Sequence, residues 1–201
     1  MKFILSILAV LAIVFLIGCS AKDTRDNKLS NSEITKLGKK YGGVYVFNKK
    51  FEKEIDDRER EKKNYMDNFF KTKKVFKKDD LKVLDNTLPQ TLSNGKKYYT
   101  STRTYSEDYN KQAKLPEIYK EKIINFIGQE DYNKFKPSID IGYFYVDNDE
   151  VVPIELSATY SYQGTKFGFF GDEGRGFSLS RDEIYTIKGG NRFYLEDLER
   201  K

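Results

Sequence analysis

The residues able to do chemistry first define this chain by what it lacks. It has no histidine and one cysteine, Cys19. Without imidazole there is no Ser-His-Asp or Cys-His nucleophile, no HExxH zinc site and no histidine pH switch. A lone cysteine closes no intramolecular disulfide, so the domain must be held by its core. Carboxylate chemistry remains. The 31 Asp and Glu residues include enough candidates for the acid and base of a glycosidase, a reaction that needs no histidine, yet spacing singles out no pair.

Gly171, Asp172, Glu173, Gly174, Arg175 and Gly176 form a glycine-rich loop after an apolar run. Such loops can turn backbone N–H groups toward phosphate, but this one carries two acids, lacks the P-loop lysine and leads into no long helix. A hairpin or lid loop is the expectation. It is also the loop expected to meet a ligand or partner, with Arg175 as the natural contact for a carboxylate. Asp147, Asn148, Asp149 and Glu150 lack the glycine and distal glutamate of a calcium loop and read as a turn. No metal or cofactor site is expected. The tyrosines at 98, 99, 105, 109, 143, 145, 160 and 162 suit interfaces and sugar-binding surfaces, with core packing favoured for the last two.

Two short motifs resemble those of known families. Ser93, Asn94, Gly95 and Lys96 are similar by letter to the S-x-x-K of penicillin-binding proteins and serine β-lactamases. That chemistry needs the serine at the start of a helix, whereas Asn-Gly makes a tight turn, and no K-T-G element is present. At the amino terminus, Lys2 precedes a run from Phe3 to Ile17 that is apolar except for Ser6, shorter than the ~18 residues of a spanning helix and suited to a secretory signal. Leu16, Ile17, Gly18 and Cys19 resemble the lipobox of bacterial lipoproteins. The resemblance implies cleavage between Gly18 and Cys19, with diacylglycerol on the Cys19 thiol. Two or three acyl chains hold far better than one, at about 0.8 kcal/mol per buried CH2. Ser20 after the cysteine is compatible with an outer-membrane lipoprotein facing the periplasm, if the host is Gram-negative.

Length and composition set the frame for these motifs. The chain of 201 residues, less an 18-residue signal, is the size of one domain. Apolar residues make up 38% and aromatic residues 15%, enough for one core. The net charge of +5 is mild, and acids and bases alternate along almost every segment, so no nucleic-acid partner is expected. The densest basic stretch, Lys71, Lys73, Lys74, Lys77 and Lys78, runs straight into Asp79 and Asp80 and reads as a solvated face. Any ligand for it would be anionic lipid headgroups or envelope polymers before DNA.

Elements that must position these residues follow from periodicity. Residues 20–29 hold almost nothing to bury and read as a tether. Ser30 and Glu33 have capping-box spacing ahead of Ile34 and Leu37, with Gly42 and Gly43 ending that helix. Val44 to Phe47 suits a buried strand. Residues 50–74 predict a helix without an apolar seam, supported by Glu54–Arg58, Asp56–Arg60 and Glu59–Lys63 pairs. Residues 81–92 fit no regular pattern, and Pro89 interrupts them. Asn94-Gly95 turns into a strand from Tyr98 to Tyr105. Pro116 and Gly128 bound an amphipathic helix, followed by a short turn of helix carrying Tyr132 and Phe135. Residues 139–146 and 152–162 predict a hairpin through Asp147–Glu150, and further strands are expected at 166–170, 177–179, 184–187 and 192–195.

Together these give an α+β fold, an antiparallel β-sheet with helices packed on one face. The expected organisation is a signal peptide at 1–18, a lipidated flexible tether at 19–31 and one domain at 32–201. The expected role is a membrane-anchored, non-catalytic envelope protein that binds a protein partner, one version being immunity against an envelope-targeted toxin. The alternatives are a carboxylate-dependent hydrolase of cell-wall glycan and an assembly lipoprotein.

Overall fold

The computed structural model describes residues 29–197 except Glu173, Arg175 and Lys188. The signal, the cleavage pair Gly18 and Cys19, and the tether up to Lys28 lie outside the described residues. The chain folds as an α+β domain with six helices and eight strands described.

Helix α1 (Asn31–Tyr41) begins where the capping box places it. Ser30 Oγ accepts from the Glu33 backbone N–H, and the Glu33 carboxylate accepts from Ser30 N at 2.9 Å. Strand β1 (Gly43–Val46) follows, then α2 (Lys49–Thr72), capped by the Asn48 side chain. Only the first turns of α2 are buried, through Glu52 and Ile55. Its ion pairs are Lys50–Glu54, Arg58–Glu61, Arg60–Asp57 and Lys62–Glu59, most of them three residues apart and not the pairs expected from four-residue spacing. The expected partner of Arg58, Glu54, is instead held by Ser93. Helix α3 (Lys78–Thr87) occupies the first part of the stretch that fitted no regular pattern.

The expected strand from Tyr98 to Tyr105 is cut to β2 (Tyr98–Tyr99). Ser101 caps a new helix, α4 (Thr102–Tyr109), by accepting from Arg103 N, and left-handed Asn110 ends it. Helix α5 (Glu117–Ile127) and the short α6 (Gln129–Lys134) match expectation, with Gly128 between them.

Both long expected strands break, at points that touch. Residues 139–146 divide into β3 (Ser138–Ile141) and β4 (Phe144–Asp147), and residues 152–162 divide into β5 (Glu150–Pro153) and β6 (Glu155–Asp172). Gly142 N donates to Glu155 O, while Ile154 N and Glu155 N both donate to Tyr143 O. Pro153, with no N–H to give, sits at the switch. The buried positions move from Val151 and Pro153 to Ile154, Leu156, Ala158 and Tyr160 across it. Each strand therefore crosses from one sheet to another.

The small sheet runs β2-β4-β5, and the β4–β5 turn through Asn148 and Asp149 has both residues in the left-handed region, as a two-residue hairpin requires. The main sheet runs β3-β6-β1-β8, where β8 is Asn191–Tyr194, and β7 (Gly176–Ile187) pairs with the outer part of β6. One pairing departs from the expected antiparallel order: β1 and β8 are parallel. Helices α1, α5 and α6 cover one face of the main sheet, packing Ile34, Tyr41, Ile123, Ile127 and Tyr132 on Tyr45, Leu156, Ala158 and Tyr160. The start of α2 packs Phe51 and Ile55 on the small sheet beside Tyr98 and Ile154. Among the described residues no helix is long and apolar enough to cross a membrane.

Candidate functional site

Past Thr159, β6 leaves its neighbours β3 and β1 and continues with β7 alone, from Tyr160↔Ile187 out to Asp172↔Gly176. The result is a two-stranded arm of thirteen residues per outer β6 edge, about 40 Å if straight. The separate strands expected at 166–170, 177–179 and 184–187 are parts of this arm. The glycine-rich loop is its tip: Gly171 (φ +127°) and Gly176 (φ +79°) stand at the closing pairs. Of the loop, Glu173 and the expected carboxylate contact Arg175 lie outside the described residues.

An isolated two-stranded ribbon is marginal in water, so the arm needs its own side-chain support. At the base, Gly38 of α1 lets Ile187 approach so closely that a Cβ there would stand 2.8 Å from Ile187 Cγ2. Above it Tyr162 stacks on Tyr185 at 5.3 Å. Lys166 and Arg181 both pair with Glu183, and Thr165 Oγ1 donates to Asp182 at 3.0 Å. Those contacts hold the Glu183 carboxyl below its ordinary range, the Arg181 hydrogen bond first among them. Arg181 lies over the Phe170 ring at 4.5 Å, beside an irregularity in pairing between Phe167 and Phe170.

The outer arm leaves large apolar side chains in water. Phe167, Phe169, Phe177, Leu179 and Ile184 are between 59% and 75% exposed. Phe169 and Phe177 meet each other at 4.9 Å. The register puts Phe167 and Ile184 on one face of the arm and Phe177 and Leu179 on the other, with Phe169 against Phe177, so large apolar side chains are in water on both faces of one projecting element. Among the described residues no third strand pairs with β7 or with β6 beyond Thr159, so the ribbon ends in strand edges of the kind that accept another strand. The glycines of the tip loop are legible in the sequence, whereas short strands at 166–170, 177–179 and 184–187 say nothing of which side chains stay in water.

A second cluster surrounds the kink between β5 and β6. Glu155 is largely buried, and its Oε2 has no hydrogen-bond partner. Burial first, then the nearby Asp56 carboxylate, push the Glu155 carboxyl above its ordinary range. Tyr143 is pushed up by burial and by Glu155, and Tyr98 donates its O–H to Glu59 at 3.1 Å. An open cleft of about 460 Å³ lies elsewhere, between Tyr105, Lys111, Lys114 and Val151, and one of about 320 Å³ between Glu54, Arg58 and Ser93; neither contains Glu155.

The other sequence candidates are tied into structure. Ser93 donates both N–H and Oγ–H to Glu54, while Lys96 pairs with Asp147, so the S-x-x-K letters do not converge on one another. Asp149 pairs with Lys111. Among the described residues no group of His, Cys, Asp and Glu is arranged to hold a metal ion. Tyr98, Tyr99, Tyr105 and Tyr160 are core, and Tyr109 is exposed. Comparison with protein-family models, with curated proteins and with solved structures found no match for this chain.

Proposed function

We propose that this chain is an envelope lipoprotein, anchored through Cys19, that acts by binding another protein with its β6–β7 arm. The observation that carries the reading is that Phe167, Phe169, Phe177, Leu179 and Ile184 are left in water on an element whose outer strand edges meet no third strand among the described residues. Aromatic side chains concentrate binding energy at protein interfaces, and a free edge accepts a partner strand through main-chain hydrogen bonds. The Cys19 anchor would hold the arm within reach of partners on one membrane.

Photocrosslinking in cells tests this reading, with a photoreactive residue at position 169 or, for comparison, at Lys63 on the exposed middle of α2. The expected result is a discrete adduct from 169 and none from 63. Equal, diffuse labelling from both positions counts against an arm interface. Replacing Cys19 with serine should leave the precursor uncleaved and move the protein to the aqueous phase of a detergent extraction; unchanged partition removes the anchor.

A second reading, a carboxylate-dependent glycan hydrolase, draws on Glu155, whose raised carboxyl beside Asp56 has the character of a general acid. Incubation of the wild type and Glu155→Gln with peptidoglycan decides it. Fragments released by the wild type alone support it, and none from either removes it.

A further inference from the structure

The basic stretch that reads as a solvated face in the sequence is built around an aromatic cluster in the fold. Helix α2 extends about 20 Å beyond Ile55, its last buried residue, to Phe69 and Phe70. There the chain reverses through 73–77 into α3, and Phe76 folds back on Phe69 at 5.0 Å and on Phe70 at 6.4 Å. Phe70 and Val75 are at least half exposed, and Leu81 and Val83 stand exposed along α3. Between residues 71 and 82 there are six lysines against two aspartates. Both aspartates are engaged: Asp80 by Lys73 and by Lys77 N–H, and Asp79 by Lys82. Lys71, Lys74 and Lys78 are exposed, and Lys71 donates to the neutral Asn68 Oδ1 at 2.8 Å, so the two aspartates leave these three charges facing water.

We propose that this corner docks on the surface of an anionic phospholipid bilayer, with Phe70 and Val75 entering the headgroup boundary and the lysines ringing them. Charge complementarity selects the occupant. The excess is made only of lysines, compact hydrated charges on long stems, which suit a diffuse anionic surface better than the forked geometry of a single carboxylate or phosphate. An apolar tip inside a basic ring matches the two contributions that hold peripheral segments on membranes, buried apolar area and attraction to anionic lipid. The docking is separate from the arm, and does not depend on the arm having a partner.

The chain has no tryptophan, so Phe70→Trp gives a single fluorescent reporter at the corner. Full-length Phe70→Trp protein is reconstituted into vesicles of phosphatidylglycerol and phosphatidylcholine, with brominated acyl chains as quencher, and compared with phosphatidylcholine alone. Val75→Trp repeats the measurement should the first variant fold poorly, and Phe169→Trp reports on the arm. The expected result is emission shifted to shorter wavelength and quenched in anionic vesicles only. It reverts at about 1 M salt, where screening length is roughly 3 Å. Lys71→Gln, Lys74→Gln and Lys78→Gln together should lower the docked fraction on the order of 100-fold, about fivefold per lysine. Water-like emission from both corner reporters in anionic vesicles overturns the proposal. So does equal quenching in neutral vesicles, or quenching confined to Phe169→Trp.

Discussion

Arg192 on β8 places its guanidinium on the carboxylate of Glu52, in the first turn of α2, joining positions 140 apart in the chain. Glu52 is 4% exposed, while Arg192 keeps much of its surface in water. The pair fixes the start of α2 to the last strand of the main sheet. Removing the cation strands a buried charge, which costs more than the pair itself contributes. Arg192→Ala should lower stability by about 2 kcal/mol in a denaturant titration. Adding Glu52→Leu to it should restore most of that loss. A variant within about 0.5 kcal/mol of wild type would show that water already serves the carboxylate.

The parallel pairing of β1 with β8 rests on Gly43. Its φ is +149°, and a Cβ there would stand 2.1 Å from Asn191 O. The neighbouring Asn191 side chain donates to the carbonyls of Lys39 and Gly42, each at 2.8 Å, closing the end of α1. Gly43→Ala therefore meets both backbone strain and a clash with main chain that cannot move cheaply, and should cost about 3 kcal/mol. Thermal unfolding checks this, and a melting temperature equal to wild type contradicts the pairing.

Two carboxyls should give stability opposite dependences on pH. Asp131 accepts from Tyr41 O–H at 2.7 Å and from Lys134, and these hold it at about 2 against an ordinary 3.8. Its contribution is present above pH ~4 and lost as pH falls toward 2. Asp131→Asn should therefore be less stable than wild type at pH 6, with the gap closing by pH 2. Glu155 is raised, so its ionised form is penalised in the fold; the penalty is absent below its unfolded value and grows as pH rises through its folded one. Glu155→Gln should be more stable than wild type at pH 8 and indistinguishable near pH 4. Denaturation midpoints across pH read both, and gaps that run the same way for the two variants refute the assignment.

What the sequence discloses in this chain is what neighbouring residues decide. The Ser30–Glu33 cap, the Asn148-Asp149 turn and the Pro116 and Gly128 bounds are each set within four residues or so, and each stands where spacing puts it. The breaks in residues 139–146 and 152–162 come from contacts between the two segments, Gly142 with Glu155 and Tyr143 with Ile154, which no single window contains. Tyr98 to Tyr105 has strand composition throughout, but the Ser101 hydroxyl competes for the backbone and wins a helix. The arm shows the same limit. Its loop was legible from glycines, whereas the exposure of Phe169 and Phe177 depends on β3 and β1 ending beside Thr159 and Ala158.

The arm makes a claim that stability and binding measurements can separate. Phe167, Phe169 and Leu179 touch little of either core, and their exposure means the fold gains little from them. Replacing all three with serine should leave the unfolding midpoint within about 0.5 kcal/mol of wild type, as for surface positions generally. If the arm is a binding surface, the same triple variant loses its core anchors, each worth about 1 to 2 kcal/mol, and partner capture should fall at least tenfold. The tip provides the internal control. Deleting Gly174 shortens the loop without removing an apolar side chain, so capture should persist while the triple variant fails. A triple variant that unfolds early would mean the phenylalanines support the ribbon itself, and one that captures as well as wild type would leave the exposed side chains without the role assigned to them.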